Sequence, residues 1–255
     1  MDLSEVGSRH QGAPRKSLVM FGDSIAQGLG VERPYAQLLA ERTGLNCVNY
    51  AESAMKIHES REIAQEITED VAVVLIGHGI TEAIVRPPTS SMRYMPRRWR
   101  APGWMDPRPY YSSRLSKRIF QRAESETRWR IKRLLMRSRG VTVYSVAEYQ
   151  EMLRSLLRRS RRYGAVVVVV GPPDIDERFF PGSSASFRVF DETAQAVVAE
   201  LEDPRVVHCS VSLARWTHYL LDHFHPNSEG HVLMASQICA ALDQVGELKG
   251  ELAAR

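Results

Sequence analysis

Residues 18–30 read Leu18-Val19-Met20-Phe21-Gly22-Asp23-Ser24-Ile25-Ala26-Gln27-Gly28-Leu29-Gly30, and the junction Gly22-Asp23-Ser24 decides the fold. A short apolar run stops there and a glycine-bearing turn follows. A strand that ends at Gly-Asp-Ser places the serine at its carboxyl end, the edge at which ligands bind in open α/β sheets. A serine hydroxyl is a weak nucleophile unless a base stands beside it. Two readings stay open on these residues alone. Ser24 is a nucleophile at a strand edge, or Asp-Ser is a plain helix N-cap, a role both residue types favour.

A base is available at the far end of the chain, in Asp222-His223-Phe224-His225-Pro226-Asn227. Asp222 and His225 are three apart, so one short turn brings both side chains to the same side. A carboxylate can then fix the imidazole tautomer while the ring takes a proton from serine. Pro226 pushes His225 out of the helical region, which suits a loop. Gly22-Asp23-Ser24-Ile25 near the start and Asp222-x-x-His225-Pro226 near the end, about 200 residues apart, resemble the GDSL or SGNH hydrolases. The resemblance implies a three-layer α/β/α, flavodoxin-like fold with a parallel sheet. It also implies Ser24 as nucleophile, His225 as general base and Asp222 as its orienting partner. It covers roughly residues 17–85 and 140–242, and not the middle.

The intervening pattern supports alternating strands and helices, which argue for a parallel sheet with right-handed crossovers. Strands are expected at 17–21, 45–50, 71–76, 165–170 and 205–208; Val71 to Ile76 and Ala165 to Val170 are apolar enough to be buried on both faces. Helices are expected from Pro34 to Gly44 and over about 59–69, 147–163, 185–201 and 228–243. Val141 to Val146 is either a weak strand or a turn leading into a helix.

Acyl transfer needs hydrogen-bond donors aimed at the developing oxyanion. By the resemblance these are the N–H of Ser24, a glycine N–H after the second strand and an asparagine side chain after the third. Ala54 stands where the glycine is expected, and its N–H can serve if φ is negative. After the third strand the chain reads Gly77-His78-Gly79-Ile80-Thr81-Glu82, without the usual Gly-x-Asn-Asp. One alignment puts Thr81 in the asparagine's place. Another puts Gly79 there with His78 nearby. The candidate donors are therefore Ser24, Ala54, Gly79 and Thr81. Asp23 and His78 are candidate substrate contacts; His78 reads equally as a satisfied polar residue on a tight Gly-His-Gly turn.

Residues 86–139 differ from their surroundings. They hold 14 Arg and 2 Lys against 1 Asp and 2 Glu, a net +13, in a chain whose total is +4. The first half is rich in Pro, Arg, Trp and Tyr and reads as an irregular lid. About 113–138 is a helix candidate, with Leu115, Ile119, Ala123, Thr127, Ile131, Leu134 and Leu135 at helical spacing. A basic amphipathic helix can lie on an anionic membrane surface or pack on its own domain with its arginines solvated. Arg97, Trp99 and Trp104 are candidate substrate contacts, because arginine favours phosphate and carboxylate partners. The expected partners are a small-molecule or glycan ester and, through 86–139, an anionic or lipid-linked substrate or a membrane surface. No nucleic-acid motif accompanies the charge, which counts against that partner. Oligomeric state is not set by the sequence.

At 255 residues, 44% apolar and 25% charged, the chain has the composition of one globular α/β domain, here 17–244, with a basic insertion at 86–139 and flexible tails at 1–16 and 245–255. Cys47, Cys209 and Cys239 are an odd number with no metal-binding spacing, so neither a disulfide framework nor a metal site is expected. The N-terminus has no apolar signal core, and no apolar run reaches membrane-spanning length. The expectation is a cytoplasmic serine esterase without cofactor; the resemblance implies that it cleaves an O-acyl ester, acetyl above all, on a carbohydrate or natural product through an acyl-enzyme. An acyltransferase on the same scaffold and a catalytically impaired binding module are the alternatives.

Overall fold

β1 (Ser17–Gly22), β2 (Asn46–Asn49), β3 (Val71–Gly77), β4 (Val166–Val170) and β5 (Val206–Cys209) form one all-parallel sheet in the order β2-β1-β3-β4-β5. The computed structural model describes residues 16–67, 70–97 and 115–245. The tails expected at 1–16 and 245–255 lie outside these residues apart from Lys16 and Val245, and so do Trp99 and Trp104.

The three central strands carry the longest β-branched and apolar runs, as a sheet covered on both faces requires. β1 and β4 are buried at every position, whereas edge strand β2 is buried at none. From β1 the chain goes to one neighbour, β2, and later returns to the other, β3. That reversal opens a crevice at the carboxyl ends of β1 and β3, where ligands bind in such sheets. Gly22 and Gly77 are paired at its floor.

Helices cover both faces. α2 (Tyr35–Thr43) packs with α9 (Ser228–Gln244) on one side, and α3 (Ile57–Ile63), α7 (Val146–Ser160) and α8 (Ser183–Glu200) pack on the other. α2 follows Pro34 and ends at Gly44, whose φ of 71° suits the glycine. α3 starts earlier than the expected 59, because Glu59 accepts from the N–H of Lys56 at 2.7 Å and caps the helix there. Val141 is not in a strand. It makes an isolated antiparallel bridge to Arg86, and the chain then turns at Ser145 into α7. Ser145 and Glu148 cap that helix reciprocally: the Ser145 side chain accepts from the Glu148 N–H, and the Glu148 carboxylate from the Ser145 N–H.

α1 (Ser24–Gln27), α4 (Ile80–Ala83) and α5 (Thr89–Met92) are single turns, and α6 (Leu115–Arg139) is the long basic helix. α6 presents a different face from the one its apolar spacing suggests. Ile119 and Leu134 are 65% and 68% exposed, and Ala123 and Thr127 are exposed as well. Among the described side chains of α6 the buried ones are Lys132 and Met136, while Trp129 sits edge-on to Phe179 at 6.3 Å. Docking on the Phe179–Phe180 loop sets the helix's rotation, and the Lys132 stem is buried with its ammonium 5.7 Å from the Phe180 ring.

Candidate active site

β1 delivers the chain to a tight elbow. A side chain at Gly22 would lie 2.5 Å from Ala26 Cβ and 2.8 Å from the Gly77 carbonyl oxygen, so only glycine fits. Asp23 Oδ1 then accepts from the Ile25 N–H at 3.1 Å, capping α1, and Ser24 is that helix's first residue. Both sequence readings of Asp-Ser therefore describe this junction: Asp23 is a cap, and Ser24 faces a base. His225 Nε2 lies 2.9 Å from Ser24 Oγ, and His225 Nδ1 lies 2.7 Å from Asp222 Oδ2. Asp222 Oδ1 accepts from the N–H groups of Phe224 at 3.1 Å and His225 at 3.0 Å. The Leu220 N–H donates to the His225 carbonyl at 2.8 Å, holding the loop closed. Burial pushes the Asp222 carboxyl up, but the His225 ring and the two N–H groups more than offset it, so its pKa falls below the usual value. An ionised Asp222 fixes the proton of His225 on Nδ1 and leaves the Nε2 lone pair for the serine hydroxyl.

The loops beyond β2 and β3 divide the expected oxyanion donors into two groups. Thr81 is committed elsewhere: its N–H and hydroxyl both donate to Asp23 Oδ2, at 3.2 and 3.1 Å. The Gly79 N–H donates to Glu82 Oε2 at 2.9 Å. His78 is buried with Nε2 2.7 Å from Ser60 Oγ, so it is a structural residue of the turn with only one ring nitrogen hydrogen-bonded, and its side chain is not open to substrate. Its Nδ1 lies 3.4 Å from Glu82 Oε1, too long for a good hydrogen bond. Ala54 is at φ 64°, not the negative φ expected of it. The reason is local: Ala54 is the third residue of a turn closed by the Met55 N–H to the Glu52 carbonyl at 3.0 Å, a position where positive φ is common. The Glu52 N–H bonds the Gly22 carbonyl at 3.3 Å and ties this turn to the end of β1. Among the described residues, no protein acceptor takes the N–H of Ser24 or Ala54.

Behind the serine is a buried charged layer that the sequence reading did not separate out. Asp23 and Glu82 are both fully buried. Burial, then the charge of Glu82, raises the Asp23 pKa. Glu82 goes the other way: His78 and the N–H groups of Gly79 and Ile57 outweigh its burial. Arg86 donates to the Thr81 carbonyl at 3.1 Å, and burial lowers its pKa against the pull of both carboxylates. Asp23 has both oxygens bonded to protein donors and no exposed surface, so it positions the elbow rather than contacting substrate. Glu82 had a partial sequence signal in its spacing from Gly79, whose N–H it accepts as the Glu of a capping box would, although glycine has no side chain to complete the box. Asn49 had none. Its Nδ2 donates to the Ala26 carbonyl at 3.1 Å and its Oδ1 accepts from the Ala51 N–H at 2.9 Å, joining the β2 loop to α1.

A second His–Asp pair flanks the base. His223 Nδ1 lies 2.8 Å from Asp176 Oδ2, and its ring stacks on Trp216 at 4.9 Å. Burial of Asp176 is outweighed by Arg178 and His223, which bring its pKa down to about 2. Phe224 links this pair to the base, with its ring 5.4 Å from Phe180 and 4.5 Å from His225. Arg97 is exposed. No group of three or more His, Cys, Asp or Glu suited to a metal ion occurs among the described residues.

This sheet order, with a serine at the β1 elbow facing a late histidine loop, defines an open α/β scaffold whose site lies at the carboxyl ends of its strands. The chain belongs to the GDSL-like lipase/acylhydrolase family, whose model matches residues 20–233. Its fold is similar to that of LAE5, an alpha/beta hydrolase from the metagenome of Lake Arreo, Spain (17% identity, 90% of this chain and 96% of that one, TM-score 0.55). It is similar to a catalytic mutant of Axe2, an acetylxylan esterase from Geobacillus stearothermophilus (14% identity, 91% and 94%, TM-score 0.54). It is also similar to the salicylyl-acyltransferase SsfX3 from a tetracycline biosynthetic pathway (13% identity, 92% and 56%, TM-score 0.56). No curated protein matches the sequence.

Proposed function

We propose that the protein is a serine esterase that cleaves an O-acyl ester through an acyl-enzyme. The observation that carries this is the hydrogen-bonded line from Ser24 Oγ through His225 to Asp222. Ser24 Oγ attacks the ester carbonyl while His225 Nε2 takes its proton, and Asp222 holds the imidazolium that forms. The N–H of Ser24 and, despite its positive φ, that of Ala54 receive the oxyanion, since neither has a protein acceptor among the described residues. The tetrahedral adduct expels the alcohol, which leaves with the proton from His225. Water then attacks the acyl-serine by the reverse route, returning the proton to Ser24. The family and the acetylxylan esterase among the fold relatives support an acetyl or other short O-acyl group on a carbohydrate or natural product. Cys47, Cys209 and Cys239 are free, which supports a reducing, cytoplasmic setting; no described helix is long and apolar enough to cross a membrane.

Hydrolysis of p-nitrophenyl acetate and labelling by a fluorophosphonate test this reading. Ser24→Ala and His225→Ala should each lower turnover on the order of 10³-fold or more, with the double variant little worse than either, because such residues act as a unit. Undiminished turnover by Ser24→Ala overturns the assignment. Absence of both turnover and labelling in the wild type favours a binding module instead. Acyl transfer is the second reading, supported by the acyltransferase among the fold relatives. It requires an acceptor held in place against water. Product that stays wholly hydrolytic across added alcohols and sugars rules it out.

A further inference from the structure

We infer that the groove between α6 and the loop before α8 binds a phosphomonoester dianion. This groove, about 430 Å³, is lined by Arg133, Met136 and Arg137 of α6 and by Glu177, Arg178 and Gly182 opposite. Its volume is within the range of small-molecule sites. Ser24 is not among its lining residues, so the inference does not depend on the ester reading.

Three guanidinium groups meet here, and their partners decide what the groove lacks. Arg178 is held from behind: Nε lies 3.0 Å from both Asp176 oxygens and Nη2 lies 2.5 Å from Oδ2. Glu177 is the one acid in the wall, and both its oxygens are taken. They accept from the N–H groups of Gly182 and Ser184, each at 2.7 Å. Glu177 thus answers the positive end of α8 rather than the arginines. Arg133 and Arg137 have no carboxylate partner among the described residues. Arg133 is packed on Trp129 with its guanidinium carbon 5.2 Å from the ring, and its buried Nε has no hydrogen-bond partner. A buried donor left without an acceptor is costly, and the rest of the Arg133 side chain lines the groove, partly buried. Arg133 and Arg137 are one helical turn apart on one face. Two uncompensated cations, with forked donors suited to phosphate, match a group of charge near −2. A carboxylate leaves one of the two unanswered.

The dianion has two possible sources: a soluble phosphomonoester, or the headgroup of phosphatidic acid in a bilayer. Calorimetric titration of the intact protein at low salt, with inorganic phosphate and with glycerol 3-phosphate, tests the first. Sedimentation with phosphatidic acid vesicles tests the second, with phosphatidylserine vesicles of equal charge as control. The double variant Arg133→Gln/Arg137→Gln should bind about tenfold more weakly or worse, since each hydrogen bond to a charged group contributes on the order of tenfold. Leu134→Gln, on the exposed side of α6, should bind as wild type. Thermal unfolding and helical circular dichroism of both variants establish that they are folded, and single Arg133→Lys and Arg137→Lys variants replace the double variant if it is not. Soluble phosphate binding that the arginine variants lose supports the groove with a soluble source. Binding confined to phosphatidic acid vesicles and lost in the same variants supports it with a lipid source. Binding of neither, equal binding to phosphatidylserine, or binding retained by the arginine variants overturns it.

Discussion

Ala54 shows how one backbone angle limits what a motif can reveal. An alanine at φ 64° pays a steric cost of roughly 1 kcal/mol that glycine does not. Ala54→Gly should therefore raise stability in urea unfolding by up to about 1 kcal/mol, less the entropy that glycine loses on folding, and keep ester turnover within a few-fold. Ala54→Val adds a β-branched side chain where positive φ is least tolerated; it should destabilise by about 1–2 kcal/mol and lower kcat with the N–H displaced. Equal kcat in all three would mean that the Ala54 N–H does not receive the oxyanion. Ser24, His225 and Asp222 were legible in the sequence because their chemistry is in the side chain and their spacing is short or terminal. The fate of Thr81 was not. Its two donors go to Asp23, 58 residues earlier, and only the folded crevice brings that acceptor within reach.

Among the elements, the strands were the most legible and α6 the least. Val71 to Ile76 and Val166 to Val170 permit little but a central strand. Ser145 with Glu148 three residues on was a readable helix start, and it resolves the ambiguity of 141–146 in favour of a turn. The rotation of α6 was not readable, because Lys132 is buried while Ile119 and Leu134 are exposed. Tertiary contact with Phe179 and Phe180 overrides the apolar count. Leu134→Asp should accordingly change unfolding free energy by no more than about 0.5 kcal/mol, as exposed substitutions do. Met136→Ala, on the docked face, should cost about 2 kcal/mol. The opposite order in denaturant titrations would mean that the helix packs through its apolar stripe after all.

For the whole molecule, acid stability depends on a residue outside the site. His231 of α9 accepts the Tyr35 N–H at 3.2 Å through Nδ1 and stacks on Tyr35 at 5.7 Å, joining the two helices on one face of the sheet. Burial, then the nearby His225, lowers its pKa to about 4 from an ordinary 6.5. The folded protein thus binds fewer protons here than the unfolded chain between those values, so stability falls as pH drops from about 6.5 to about 4. The full shift corresponds to about 3 kcal/mol. His231→Gln, which keeps an acceptor, should flatten the stability curve in that window. Asp222, whose pKa is lowered, adds a separate loss only at more acid pH, below the ordinary carboxylate value. An unchanged slope between pH 6.5 and 4 in His231→Gln would place the acid sensitivity elsewhere. The Ser24–His225 hydrogen bond joins residues 201 positions apart, and that span sets when the protein can first act. On the ribosome the Ser24 hydroxyl is made 201 residues before its proton acceptor, His225. Appearance of ester turnover during translation is then a clock for completion of the whole sheet, and no fragment that stops before residue 222 should start it.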